Sequence, residues 1–362
     1  EIRLKNMINT DEHPYTTIVG AEIESGSHKE SLQKALRMLD YTNFRERQKN
    51  ALRDNRYIGV GIASYIEGTA MGSSFWNVMG LPIGGYESAT VRMNVDGKVT
   101  VLAGSSSHGQ GHETTLAQVA ADELGVPLTD VRIIQNDTDV VPYGWGTWGS
   151  RTAVTSGGAI IEAATKVRDK ILRAASHLSE IPPQELELRN GTVSRKFDGA
   201  VVIPLKEIAY QAIVSPSNLP KQDEPGLEAT ANYEPPPATH SNATHIATVD
   251  VDAETGRITL LRYIVVEDCG TIINPMIVDG QMHGGLAQGI GQALLEECRY
   301  DEDGQLVTGS YMNYTMPRAA DLPNYKTGHN TTLCTHNPLG VKGVGEVGSI
   351  GVPPAVINAI TN

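Results

Sequence analysis

The sequence has only three cysteines, Cys269, Cys298 and Cys334, and their scatter excludes a disulfide framework, a cysteine-based zinc site and an iron–sulfur cluster. Reduced thiols in a cytoplasmic protein are the reading that remains. Aromatic residues make up 5%, too few for a base-stacking platform. The net charge of −13, with no Lys/Arg cluster against it, excludes a nucleic-acid surface. No apolar run approaches the roughly 18 residues of a membrane-spanning helix. The opening Glu1-Ile-Arg-Leu-Lys5 is charged and carries no signal-peptide core, and the absence of an initiator Met leads us to expect a fragment or a processed subunit.

Glycine, by contrast, is abundant: 37 of 362 residues, about a tenth against an average of roughly 7%. It gathers in a few loops, the pattern of a ligand site lined by backbone. A chain of this length is expected to form two compact units, each with its own core.

Helical spacing of Leu32, Ala35, Leu36 and Leu39 predicts one or two amphipathic helices over 28–55. Strands follow at 58–65, 89–95 and 98–102, the last two joined by Asp96-Gly97, a strong hairpin signal. A helix over 113–124 is stopped by Gly125. The order recurs at 245–251 and 257–261, turned at Glu254-Thr-Gly256 and followed by a glycine-rich helix over 281–297. Two related strand–strand–loop–helix units imply an α+β fold. Between them lie a helix over 158–177 and a loop rich in Pro and Asn over 215–243, which places the boundary between units 1–225 and 226–362.

Three glycine loops feed helices. Ser105-Ser-Ser-His-Gly-Gln-Gly-His112 joins a strand end to a helix start, where unsatisfied N–H groups attract anions. His108 and His112 have the spacing of a zinc pair, but Gly109-Gln-Gly111 between them is not a helical segment, and we read no metal ligand there. Pro142-Tyr-Gly-Trp-Gly-Thr-Trp-Gly-Ser-Arg-Thr152 offers a second anion site, with Arg151 as a bidentate donor. In the 281–297 helix, Gly284, Gly285, Gly289 and Gly291 each cost about 1 kcal/mol relative to Ala. Either an extended polyanionic ligand or close helix packing would account for them. The third loop, Asn337 to Gly348, frames one carboxylate, Glu346, with glycines. Its Gly343-x-Gly345-x-x-Gly348 matches the dinucleotide fingerprint but lacks the preceding strand and the downstream acid, so that reading fails.

In combination, His108-Gly-Gln-Gly-His112, Pro142–Thr152, Glu267-Asp-Cys-Gly-Thr-Ile-Ile-Asn-Pro275, Gly280-Gln-Met-His-Gly-Gly-Leu-Ala-Gln-Gly289, Tyr314–Pro323 and Gly340–Gly348 resemble the molybdenum hydroxylases. That family includes xanthine dehydrogenase, the aldehyde oxidases and the carbon monoxide dehydrogenase large subunit. The resemblance, nearest to the carbon monoxide dehydrogenase branch over Glu1–Ser31, implies the molybdopterin-binding part of a large subunit that lacks its N-terminal half. It implies a molybdopterin cofactor in its cytosine dinucleotide form, with FAD and [2Fe-2S] clusters on partner subunits or fused domains in a dimer of heterotrimers. Residue by residue, it puts Gln110 near the reacting centre, with Gly111 and His112 continuing that loop. Trp148, Ser150 and Arg151 would lie along the pterin or its phosphates. Cys269, Thr271, Asn274 and Gln288 would form a further cofactor segment, and Lys342 and Gly343 would lead to Glu346, the base. A carboxylate within hydrogen-bond reach accepts the proton lost as oxygen attacks an electrophilic carbon. The resemblance assigns no protein ligand to the metal. The rival reading is a non-catalytic binding or assembly module of the same fold.

Overall fold

The computed structural model describes residues 1–221 and 223–362; Gln222, inside the expected 215–243 loop, lies outside the described residues. Its helices are α1 (Ile2–Asn6), α2 (His28–Leu39), α3 (Tyr41–Arg53), α4 (Ser73–Val78), α5 (His112–Leu124), α6 (Thr152–Ser179), α7 (Leu205–Val214), α8 (Pro275–Leu294), α9 (Val347–Ile350) and α10 (Val352–Ile360). Its strands are β1 (Tyr15–Thr16), β2 (Glu22–Ile23), β3 (Tyr57–Thr69), β4 (Glu87–Met93), β5 (Val99–Ala103), β6 (Val131–Ile134), β7 (Leu186–Arg189), β8 (Thr192–Arg195), β9 (Val201–Pro204), β10 (Leu227–Tyr233), β11 (Thr239–Val251), β12 (Ile258–Asp268) and β13 (Tyr325–Asn330).

These elements form two compact units. The first comprises Glu1–Thr69, Thr239–Thr335 and Gly340–Asn362; the second comprises Ala70–Ala238 and His336–Leu339. The first unit is built on a sheet of order β13-β12-β11-β3, in which β11 runs antiparallel to both neighbours and β13 is parallel to β12. Alternate residues of a strand point to opposite faces. Here both faces are apolar: Ala247, Val249, Tyr263 and Val265 pack with α8 and α10, whereas Val60, Ile246, Ile264 and Val266 pack with α2 and α3.

The second unit repeats the plan. Its sheet has the order β10-β4-β5-β6, with β4 antiparallel to both neighbours and β6 parallel to β5. A hairpin, a crossover helix and a parallel strand thus recur, as the α+β reading of two related units expects. They differ in when the outer antiparallel strand is made: β3 precedes its hairpin, whereas β10 follows. That difference corrects the expected boundary after residue 225. β10 pairs with β4 from Leu227↔Met93 to Tyr233↔Glu87, so the second unit continues to Ala238. The expected long loop therefore contains a strand, signalled by the alternation of Leu227, Ala229, Ala231 and Tyr233.

Some of the glycines of α8 answer to packing. A Cβ on Gly285 would stand 2.7 Å from Gly348 Cα, and one on Gly289 2.5 Å from Val352 Cβ, whereas one on Gly284 would meet nothing within 4 Å. Gly285→Ala is therefore expected to destabilise the protein by about 1–3 kcal/mol, as overpacked cores do. Gly284→Ala is expected to be neutral or stabilising by up to about 1 kcal/mol. Urea unfolding of the two variants side by side checks the contrast, and equal midpoints would refute it.

Candidate active site

In open sheets with parallel strands, ligands bind beyond the carboxyl ends of those strands. In the second unit these ends feed the loops 104–111 and 135–151. Gly109 and Gly111 take left-handed backbone conformations, φ +96° and +79°, which delivers the chain to α5 with Gly111 as its N-cap. Gln110 is half-buried, and its side-chain oxygen accepts from the His108 N–H. His112 opens α5; burial lowers its pKa to about 4, with Glu113 opposing and His108 adding to the shift, so the ring is neutral near pH 7. Its buried Nδ1 has no hydrogen-bond partner in the protein. The loop is held from behind: the Gln135 amide donates to Ser105 Oγ at 2.7 Å, and the Ser106 N–H donates to Thr147 Oγ1 at 3.1 Å.

Arg151 does not serve as sequence reasoning expects. Its side chain is 1% exposed and ion-paired at 3.1 Å with Glu87, itself 0% exposed. Its Nη1 also donates to the Gly146 carbonyl at 2.8 Å, and its Nη2 donates to the carbonyls of Gly85 and Tyr86 at 2.5 and 2.9 Å. A guanidinium so committed cannot fork onto a phosphate. Burial pushes the Glu87 carboxyl up, while the guanidinium beside it pulls the other way. The guanidinium lies over the Trp148 ring, 5.2 Å from its centroid. Trp148 Nε1 donates to the Trp145 carbonyl at 2.9 Å. Arg151 thus fixes the loop from inside, and Gly149 and Ser150 take φ +57° and +53° just before α6 begins. The partner Glu87 was not legible from sequence, since nothing in the pattern of β4 pairs it with a residue 64 positions on.

In the first unit the corresponding strand ends are those of β12 and β13. Lys342, 2% exposed, is also committed internally: its Nζ donates to Thr332 Oγ1 at 2.9 Å and the Ser25 carbonyl at 3.2 Å and lies 3.7 Å from Asp268. Backbone bonds join the two loops, from Lys342 N to the Cys269 carbonyl at 2.7 Å and from Thr271 N to the Gly340 carbonyl at 2.9 Å. Cys269 is buried, and burial first, then Glu267, pushes its thiol well above the usual range, so it is a neutral thiol. Asn274 caps α8 by accepting from Ile277 N at 3.2 Å, while Gln288 lies exposed further along that helix. Gly343 N donates to Thr69 Oγ1 at 3.0 Å. Glu346 is the exposed N-cap of α9. Thus Lys342 acts on this loop from within, while Glu346 is exposed.

Both α+β units carry glycine-rich loops at their strand ends, and the buried cations of those loops are committed to protein partners. A family model for the molybdopterin cofactor-binding domain matches residues 34–323, and the chain belongs to that family. It is 36% identical over 374 residues to the carbon monoxide dehydrogenase large chain of Afipia carboxidovorans, covering 100% of this chain and 45% of that one. To the nicotine 6-hydroxylase large subunit of Paenarthrobacter nicotinovorans it is 36% identical over 362 residues, covering 100% and 44%. Among solved structures, quinoline 2-oxidoreductase from Pseudomonas putida 86 superposes with a TM-score of 0.94 at 39% identity, over 99% of this chain and 46% of that one. The chain spans just under half the length of these relatives. No helix among the described residues is long and apolar enough to cross a membrane.

Proposed function

We propose that this chain is the molybdopterin-holding part of a molybdenum hydroxylase large subunit, which hydroxylates an aldehyde, an N-heterocycle or a similar small molecule with water as the oxygen source. The observation that carries the reading is Glu346, an exposed carboxylate at the N-cap of α9 in the same glycine-rich loop as the buried Lys342. When bound, the molybdenum cofactor supplies the centre that takes two electrons from the substrate.

The donor set fits such a group. Among the described residues no cluster of three or more His, Cys, Asp or Glu side chains could hold a bare metal ion, which suits a metal whose ligands come with its cofactor. The unpartnered Nδ1 of His112 suits the polar edge of a large organic ligand. In the second unit the residues proposed to bind the cofactor are Gln110, Gly111, His112, Trp148 and Ser150, and Arg151 holds their loop in place. In the first unit they are Cys269, Thr271, Asn274, Gln288 and Gly343, and Lys342 holds that loop in place. Glu346 accepts the proton released as oxygen reaches the substrate. The cytosine dinucleotide form of the cofactor, and partners carrying FAD and [2Fe-2S] clusters in a dimer of heterotrimers, belong to the same proposal. Three cysteines outside any disulfide suit a cytoplasmic setting.

Metal and pterin analysis of the intact, matured protein tests this. Molybdenum and pterin are expected in equal amounts, near one per large subunit. Their absence would favour a binding or assembly module without turnover.

A further inference from the structure

Tyr65, Glu67 and Thr69 alternate along β3, so their side chains share one face of the strand. Both outer members of that row are tied to the loop that carries Glu346. Thr69 Oγ1 accepts from Gly343 N at 3.0 Å, and Tyr65 Oη donates to the Val347 carbonyl. Glu67, between them, is brought against the intervening segment 344–346. Across the sheet it stands opposite Ser241 of β11, whose hydroxyl donates to Glu67 Oε2 at 3.3 Å.

We propose that Glu67 is a positioning residue for Glu346, a second carboxyl group on the β3 face tied to that loop, whose charge state acts on the Glu346 carboxylate. The inference rests on Glu346 being the base. Two carboxylates at close quarters do not both ionise readily, and burial favours the neutral form of the less exposed one. Glu67 is that one: burial raises its pKa to about 8, the charge of Glu346 adds to the rise, and the bond from Ser241 opposes it. The titratable groups around it are Glu346 from the loop and Tyr65 from its own strand, with His245 of β11 3.4 Å from the Tyr65 hydroxyl. As pH rises past about 8, Glu67 deprotonates and the second charge appears.

Infrared titration of the intact protein reads this without turnover. A carboxylic-acid band present at pH 7 is expected to be lost in Glu67→Gln, to titrate near pH 8 in the native protein, and to titrate at lower pH in Glu346→Gln, which removes the neighbouring charge. A Glu67 band that titrates in the ordinary carboxylate range, or a midpoint unmoved by Glu346→Gln, would overturn the inference. If Glu67→Gln does not fold, the band's midpoint in Glu346→Gln alone decides. Normal turnover of Glu346→Gln would instead remove Glu346 as the base, a separate failure from either infrared result.

Discussion

Arg151→Ala is expected to destabilise the protein by about 3–5 kcal/mol, the penalty for removing one partner of a buried ion pair and leaving the other charge uncompensated. Glu87 is wholly buried, and the guanidinium is its ion-pair partner. The carbonyls of Gly85, Tyr86 and Gly146 lose their Arg151 donors at the same time. Lysine should not repair the site, because a single ammonium cannot reach the four acceptors that the planar fork serves. Glu87→Gln combined with Arg151→Met removes both charges and is expected to recover part of the loss. Urea unfolding of the three variants measures the order. Because the loop 142–151 is anchored through this side chain, molybdenum content is expected to fall along with stability in Arg151→Ala. A native unfolding midpoint in that variant would show that the pair does not hold the loop.

Much of the fold was legible where the signal is local. Asp96-Gly97 does turn β4 into β5, with Gly97 at φ +83°, and Gly125 does end α5 at φ +60°. The helix over 158–177 is there too, starting six residues earlier at Thr152 and ending at Ser179. What local pattern cannot carry is pairing between distant segments. The assignment of β10 to β4, and of β3 to β11, decides the two units, and no residue near position 225 announces either. The same limit applies to the candidate site. Position and residue type marked Arg151 and Lys342 as cations of glycine loops, but their function depends on Glu87 and Asp268, each more than 60 residues away. Glu67 was invisible for a related reason: a lone acid in a strand acquires meaning only when the face it shares with Tyr65 and Thr69 is seen against the 343–347 loop. Of the α8 glycines, Gly285 and Gly289 are places of close approach to the α9–α10 segment and Gly291 meets Glu296 and Pro317, whereas Gly284 faces open space.

Glu346→Gln is the substitution expected to act on chemistry with the fold left intact. The side chain is exposed, and the turn into α9 is held by Ser349, whose N–H donates at 3.0 Å to the Glu346 backbone carbonyl, so the amide leaves that turn unchanged. Glutamine keeps the shape and removes the ability to accept a proton. Loss of a general base lowers rates by about 10²–10⁴-fold. The decisive measurement is turnover per bound molybdenum in the intact protein carrying Glu346→Gln, with pterin content determined on the same sample. A fall of that size at unchanged cofactor content is the predicted result; near-native turnover per molybdenum would contradict the placing of the base at Glu346.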